Sequence, residues 1–550
     1  MLTRRSFHKN LAALAIASLA GGRMARASTS TPDELFLGRL TFGATPADRA
    51  EIAQMGVQEW VERQLSLPSE DDALTARLNA VRLLIEYDAG RTEDGKPWDA
   101  LSEHRGLKNL ETDPAELLHL LDFDAPIAFA ERERPAAEVI AASLVRGVHA
   151  PAQLREVMTQ FWHEHFSVNA MKNESTAIFF PSYDKVMRDN AFGNFRTLLG
   201  QVARAPTMLA YLNNDTSQAS PANENYAREL LELHTLGQEN YYNDLYDDWK
   251  AVPGGIGGIA TGYIDQDVYE VARALTGWSI GDGREIGEGT FAPETGRFTY
   301  VEGWHDPYQK RILGQEFSAN SAPMQDGMRV LDILATHPAT ARFVTRKMLR
   351  RLGIETPSAA YHDHVAAVFH QNIDAPDQIA QTLRAIIFHD EFAATPAQKL
   401  CHPFEFLCAI YRAAGTDVSP QTDAFHWKLR QAGWSQHQVN PPTGHSDHSH
   451  DWANTATING LVNIALESHI EWFGAANGAL RKAPDDIKTF GALATYWEGR
   501  FGADAGSLKP VIDAFGEDPD SPLWDEGDDL EWASGGMIAA LALTPKFMFR

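Results

Sequence analysis

Apolar residues recur at three- and four-residue spacing through most of this chain, in segments often introduced by Ser, Thr, Asp or Pro. The pattern predicts helices over 135–150, 151–161, 326–334, 340–352, 379–388 and 403–414. Strand-like alternation is scarce. Its best example is 298–301, placed to pair across the Gly-rich stretch before it. There is no solenoid-like repeat and no long low-complexity run. The expected fold is therefore all-α, with at most a small β-hairpin. At 550 residues the chain exceeds what one core usually fills, so two lobes are expected. The break falls near 238–261, where QENYYNDLYDDWKAVPGGIGGIAT interrupts the helical pattern with acidic, aromatic and Gly-rich sequence. Such a segment suits a lid or a variable surface loop.

Just before it, 220–237 (SPANENYARELLELHTLG) reads as one helix. Ser220 is the candidate N-cap, Pro221 stands at the first helical position, and Gly237 is placed to close the far end. Asn225, Arg228, Glu229 and Glu232 share one face; Tyr226, Leu230, Leu233 and His234 fall on the other. The polar face suits either chemistry or a solvated Arg/Glu ladder, and His234 is placed as a buried, hydrogen-bonded histidine.

Charge and the first residues set the compartment. Twin arginines in TRRSFHK (3–9) precede a short apolar run, 11–20, and Ala25-Arg26-Ala27 supplies a small-x-small cleavage site. This is a twin-arginine export signal over 1–27, leaving 28–550 as the mature chain; the apolar run is about half the length a membrane anchor needs. Losing its five Arg and Lys takes the formal net charge from −26 to −31. So acidic a protein has no basic footprint for nucleic acid or an anionic membrane. The acid is concentrated in 243–248 and 517–531, neither with calcium-loop spacing. The two cysteines, Cys401 and Cys408, lie seven apart in a segment that reads as helix, about 10 Å from one another, and are expected to remain free thiols.

Further segments gather histidine and carboxylate. In FWHEHF (161–166), a continuous helix would put His163 and His165 about 200° apart, whereas an extended chain after Trp162 would project both toward one metal ion. In HDPYQKRILG (305–314), His305 and Asp306 follow the expected strand, a common setting for a site and equally an ordinary Asp-Pro turn. The loop 436–452 carries His437, His445, His448 and His450 without a standard finger spacing, which suggests adventitious metal affinity of a flexible loop. There is no G-x-S-x-G elbow, Walker loop, haem C-x-x-C-H or zincin H-E-x-x-H.

The strings NENYARELLELHTLG and DVYEVARALTGW, together with LGRLTFGATPADRAEI, FWHEHF, HDPYQKRILG, the NPP turn at 440–442 and the terminal LTPKFMFR, resemble the bacterial family called domain of unknown function 1800. The resemblance covers nearly the whole mature chain. The chain departs from the family pattern in the length of 238–261 and in the His cluster after the NPP turn. The resemblance favours a shared site and implies an exported neighbour resembling the alkaline phosphatase and sulfatase class. The resulting expectation is a periplasmic or secreted, metal-assisted enzyme, hydrolytic or oxidative. His163, His165 and Glu229 would hold a divalent ion, Glu232 or His305 with Asp306 would serve as acid–base groups, and Arg228 would orient an anionic group. The alternative is a non-catalytic binding or assembly protein acting with that exported partner.

Overall fold

The computed structural model describes residues 31–468, 486–523 and 527–550, with 527–532 as backbone alone. The expected leader at 1–27 and part of the acidic stretch 517–531 lie outside these residues. Helix dominates, as the spacing predicts, and the expected 403–414 helix is present as Pro403–Ala414. The 135–150 pattern belongs to a longer helix, Phe129–His149, which carries Pro135 inside it rather than at its start. Its first turns are tied down by arginines: Arg132 donates to the carbonyls of Leu120 and Asp122, and Arg134 to those of Leu83 and Arg105. Those bonds hold the turns ahead of the proline in place, where the sequence suggested a helix start.

The Gln153–His165 helix is buried at every residue except Arg155. A helix buried all round belongs to the middle of a large core. It packs against the Glu174–Asp189 helix, which also lies along Phe129–His149. Around them one continuous apolar cluster extends from Phe36 to Met548 and takes in Val252 and Ala260 of the 238–261 segment.

Among the described residues, five small two-stranded antiparallel sheets decorate the helices. The expected strand at 298–301 falls in Glu294–Tyr300, which pairs with Trp278–Asp282 across the Gly-rich stretch. Among the others, Leu83–Tyr87 pairs with Leu101–Arg105, and Lys310–Ile312 with Gln315–Phe317. No helix among the described residues is long and apolar enough to cross a membrane. Both cysteines are free and buried. The spacing argument for them needs correcting: Cys401 precedes its helix, in a segment bonded to the chain end through Cys401 N–H and the Met548 carbonyl.

Candidate functional site

The 220–237 segment is not one α-helix. An α-helical portion, Glu224–Glu229, is capped by Asn223 rather than Ser220 and passes into a π-helix, Leu230–Thr235. There the Leu236 N–H reaches the Leu231 carbonyl at 2.9 Å, and the Thr235 hydroxyl donates to the Leu230 carbonyl at 2.6 Å. Gly237 ends the turn at φ +87°, where a side chain would also strike Phe343. π-turns inside helices are rare and concentrate at functional sites. The division of faces holds in outline. Tyr226, Leu230 and His234 are fully buried, while Arg228, Glu229 and Glu232 are half-buried.

Glu229 is the unusual member. Its carboxylate makes no hydrogen bond or ion pair with the described residues. Burial, and then the charge of Glu232, raise its pKa to about 7 against the opposing pull of Arg228. Arg228 is directed to Asp265 at 3.5 Å, and Asp265 also accepts the Tyr241 hydroxyl at 2.7 Å. Tyr211 is close enough to feel the Glu229 charge, which adds to burial in pushing its phenol up to about 12. The Tyr211 hydroxyl donates to the Asn440 carbonyl in the NPP turn at 2.7 Å, and the Asn440 side chain is held by Asn169. The family strings thus meet here: the Asp265–Ala274 helix lies along Glu224–Glu229, the NPP turn reaches Tyr211, and His165 of FWHEHF bonds the His234 carbonyl at 3.0 Å.

The expected metal set is not assembled. The Gln153–His165 helix continues through both histidines, so His163 and His165 leave it on different sides. His163 meets Asp184 at 3.0 Å and lies against His437 with ring centroids 4.4 Å apart and the planes tilted by 54°. His165 turns instead toward His234. Among the described residues no three His, Cys, Asp or Glu side chains gather as a metal-holding group. His163, His165 and Glu229 therefore do not fit a shared ion, because helical geometry separates the imidazoles and Glu229 stands on a third surface.

His305 and Asp306 lie in a closed knot of pairs. Asp306 takes both Nε and a terminal nitrogen of Arg273, at 2.8 and 3.0 Å. Lys310 donates to Asp326 at 2.8 Å and to the carbonyls of Asp306 and Tyr308, and His305 bonds the Thr276 carbonyl at 3.0 Å. This knot seats the loop on the Asp265–Ala274 helix and is not joined to Glu229 by any bond.

The His-rich loop is anchored to the core through Gln436, His437 and Trp452, with part-buried and exposed residues between them. His437 is buried and bonds Ser143 and Gln436, each at 3.0 Å. His445 lies flat on Trp434, with centroids 3.9 Å apart and 7° between planes, and meets Glu164 at 3.1 Å. Gly444 passes so close to the Glu164 carbonyl that any side chain there would collide with it. His450 is the exposed histidine of the loop.

Sequence reasoning missed a second buried ionic group beside this loop. Arg351 pairs with Glu405 at 2.6 Å, the terminal Arg550 pairs with the same carboxylate, and Lys399 donates to Asp447 at 2.9 Å. Burial pushes Lys399 down to about 8, and Lys347 likewise. The Lys347 charge adds to burial in lowering His165 and His234, so both imidazoles are neutral. Neither ring nitrogen of His234, nor Nδ1 of His165, has a hydrogen-bond partner. The terminal LTPKFMFR string was the available signal, since its last arginine closes the cluster.

The chain belongs to the family described as "Protein of unknown function (DUF1800)", which matches residues 35–549. Curated proteins and solved structures contain no match to it.

Proposed function

We propose that this protein is an exported acid–base enzyme, hydrolytic in class, with Glu229 as the group that moves the proton. The observation that carries this reading is the half-buried, unpaired Glu229 carboxyl, with a pKa of about 7, where the α-helix passes into the π-turn. A carboxyl poised near neutrality can take a proton from water as base and return it to a leaving group as acid. Glu232 supplies the neighbouring charge that keeps Glu229 from ionising early. Arg228, 37% exposed and held on Asp265, is placed to meet an anionic substituent of the substrate. No step runs through a divalent ion, because the three side chains expected to hold one are dispersed. The twin-arginine leader supports export to the periplasm.

The test is turnover of chromogenic carboxylic, phosphate and sulfate esters by the purified mature chain and by Glu229→Gln. The expected result is hydrolysis of one class with a pH profile breaking near 7, lost by at least 100-fold in Glu229→Gln, within the usual worth of a positioned acid–base group. Unchanged turnover in that variant overturns the assignment. A second reading, a binding or assembly protein acting with an exported partner resembling the alkaline phosphatase and sulfatase class, is favoured by exposed Tyr246, Ile256 and Ile259 on the segment after the polar helix. Co-purification of such a partner, with no turnover of any ester, would select it.

A further inference from the structure

A cavity of about 470 Å³ opens between the Leu83–Tyr87 strand, the Phe129–His149 helix and the Ala424–Gln431 helix, and no residue of 220–237 lines it. That volume is within the range of small-ligand sites, about 300–1,000 Å³. Its floor is apolar, from Leu83, Ile85, Ile140 and Phe425. Into it faces His426, only 6% exposed, with neither ring nitrogen completing a hydrogen bond. The Gln438 side chain stands within bonding reach of this ring and offsets part of the burial that lowers its pKa. With only the Gln438 side chain beside it, the buried imidazole keeps a ring nitrogen free to bond something in the cavity. At the mouth Trp427 is 57% exposed, its ring held 5.4 Å from the Arg430 guanidinium one turn along the helix.

The lining selects among ligand classes. Glu86, Glu133 and Asp423 oppose an anion; of the two arginines in the lining, Arg134 is already paired with Glu138, which leaves Arg430. A cation seeking the indole face meets Arg430 already there, a like charge. A purely apolar ligand would leave His426 and Glu133 unpaired. What remains is a neutral molecule with one apolar face and several hydroxyls. We propose that this cavity binds a neutral saccharide, one sugar ring lying on Trp427 while its hydroxyls bond His426, Gln438 and Glu133.

The test is saturation-transfer NMR and calorimetry on the mature chain with cellobiose, maltotriose and N,N′-diacetylchitobiose, and with glucose 1-phosphate and benzyltrimethylammonium as charged comparators. The expected result is binding of at least one neutral sugar, weakened on the order of tenfold by Trp427→Ala. His426→Leu should weaken it similarly and lower the melting temperature only slightly, since Gln438 is the one side chain beside the ring. Trp427→Ala alters an exposed residue and should fold normally. Absence of binding by all three sugars at millimolar concentration, binding that survives Trp427→Ala, or tighter binding of either comparator would overturn the proposal.

Discussion

Around Asp184 the protein closes charge on itself inside the core, whereas at Glu229 it leaves a carboxyl half-buried without a donor. Asp184 receives Arg188 at 2.8 Å, His163 at 3.0 Å and Arg146 at 3.3 Å, and Arg188 also grips both oxygens of Glu156 at 2.7 and 2.8 Å. Burial alone would raise the Asp184 pKa, but the Arg188 charge and the His163 bond hold it well below the usual carboxylate range. Glu229, only half-buried, combines that partial desolvation with a like charge beside it and no donor, so its pKa moves the other way, to about 7. A buried carboxylate with three donors is fixed as an anion and does structural work; one without donors keeps its proton available near neutrality.

The largest effect should come from opening the closed network. Arg188→Ala strands Glu156 as a buried carboxylate, takes one of three partners from Asp184, and should cost about 3–5 kcal/mol. Urea denaturation would check it, and a loss under 1 kcal/mol would mean the network is not the tight unit its distances imply. A smaller effect separates two histidines of equal burial. His163→Leu removes a bond to Asp184 and should cost about 1–3 kcal/mol, whereas His234→Leu removes no side-chain hydrogen bond and should cost less than about 1 kcal/mol. Equal losses in the two variants would contradict this difference. The expectation that His234 is hydrogen-bonded is corrected by its unpartnered nitrogens; only its burial was legible from its place opposite Glu229.

Local periodicity carried most of the helices, because spacing reports which side of an element faces apolar neighbours. It failed where the reason for the structure lies far away in sequence. The turns before Pro135 are held by carbonyls of 83, 105, 120 and 122, and nothing within 129–135 announces them. The π-turn after Glu229 is likewise invisible to a 3.6-residue pattern, yet the segment and its polar face were legible from residue type. The His-rich loop looked flexible because its composition is polar; two of the residues that anchor it, Glu164 and Ser143, lie far away in the chain. Convergence of three His and Glu side chains on one ion depended on the conformation after Trp162, and the helix continues there.

The smallest and most diagnostic stability effect belongs to Glu229→Gln. Glu229 has a folded pKa of about 7 against an ordinary value of 4.5, so the folded state binds its proton more tightly than the unfolded state. The stability tied to that proton is fully present below about 4.5 and is lost as pH rises through 7. The mutant, neutral at every pH, should therefore match the parent in acid and exceed it above pH 7. Because the group is only half-buried, solvent screening holds the gain to the order of 1 kcal/mol. Denaturation of both proteins between pH 4 and pH 8 would trace the difference. If the two curves stay parallel across that window, Glu229 ionises without penalty in the folded state, and the contrast with Asp184 collapses to a difference in exposure. If instead the mutant gains stability while losing turnover, the same unpaired carboxyl is both the strain in the fold and the acid–base group.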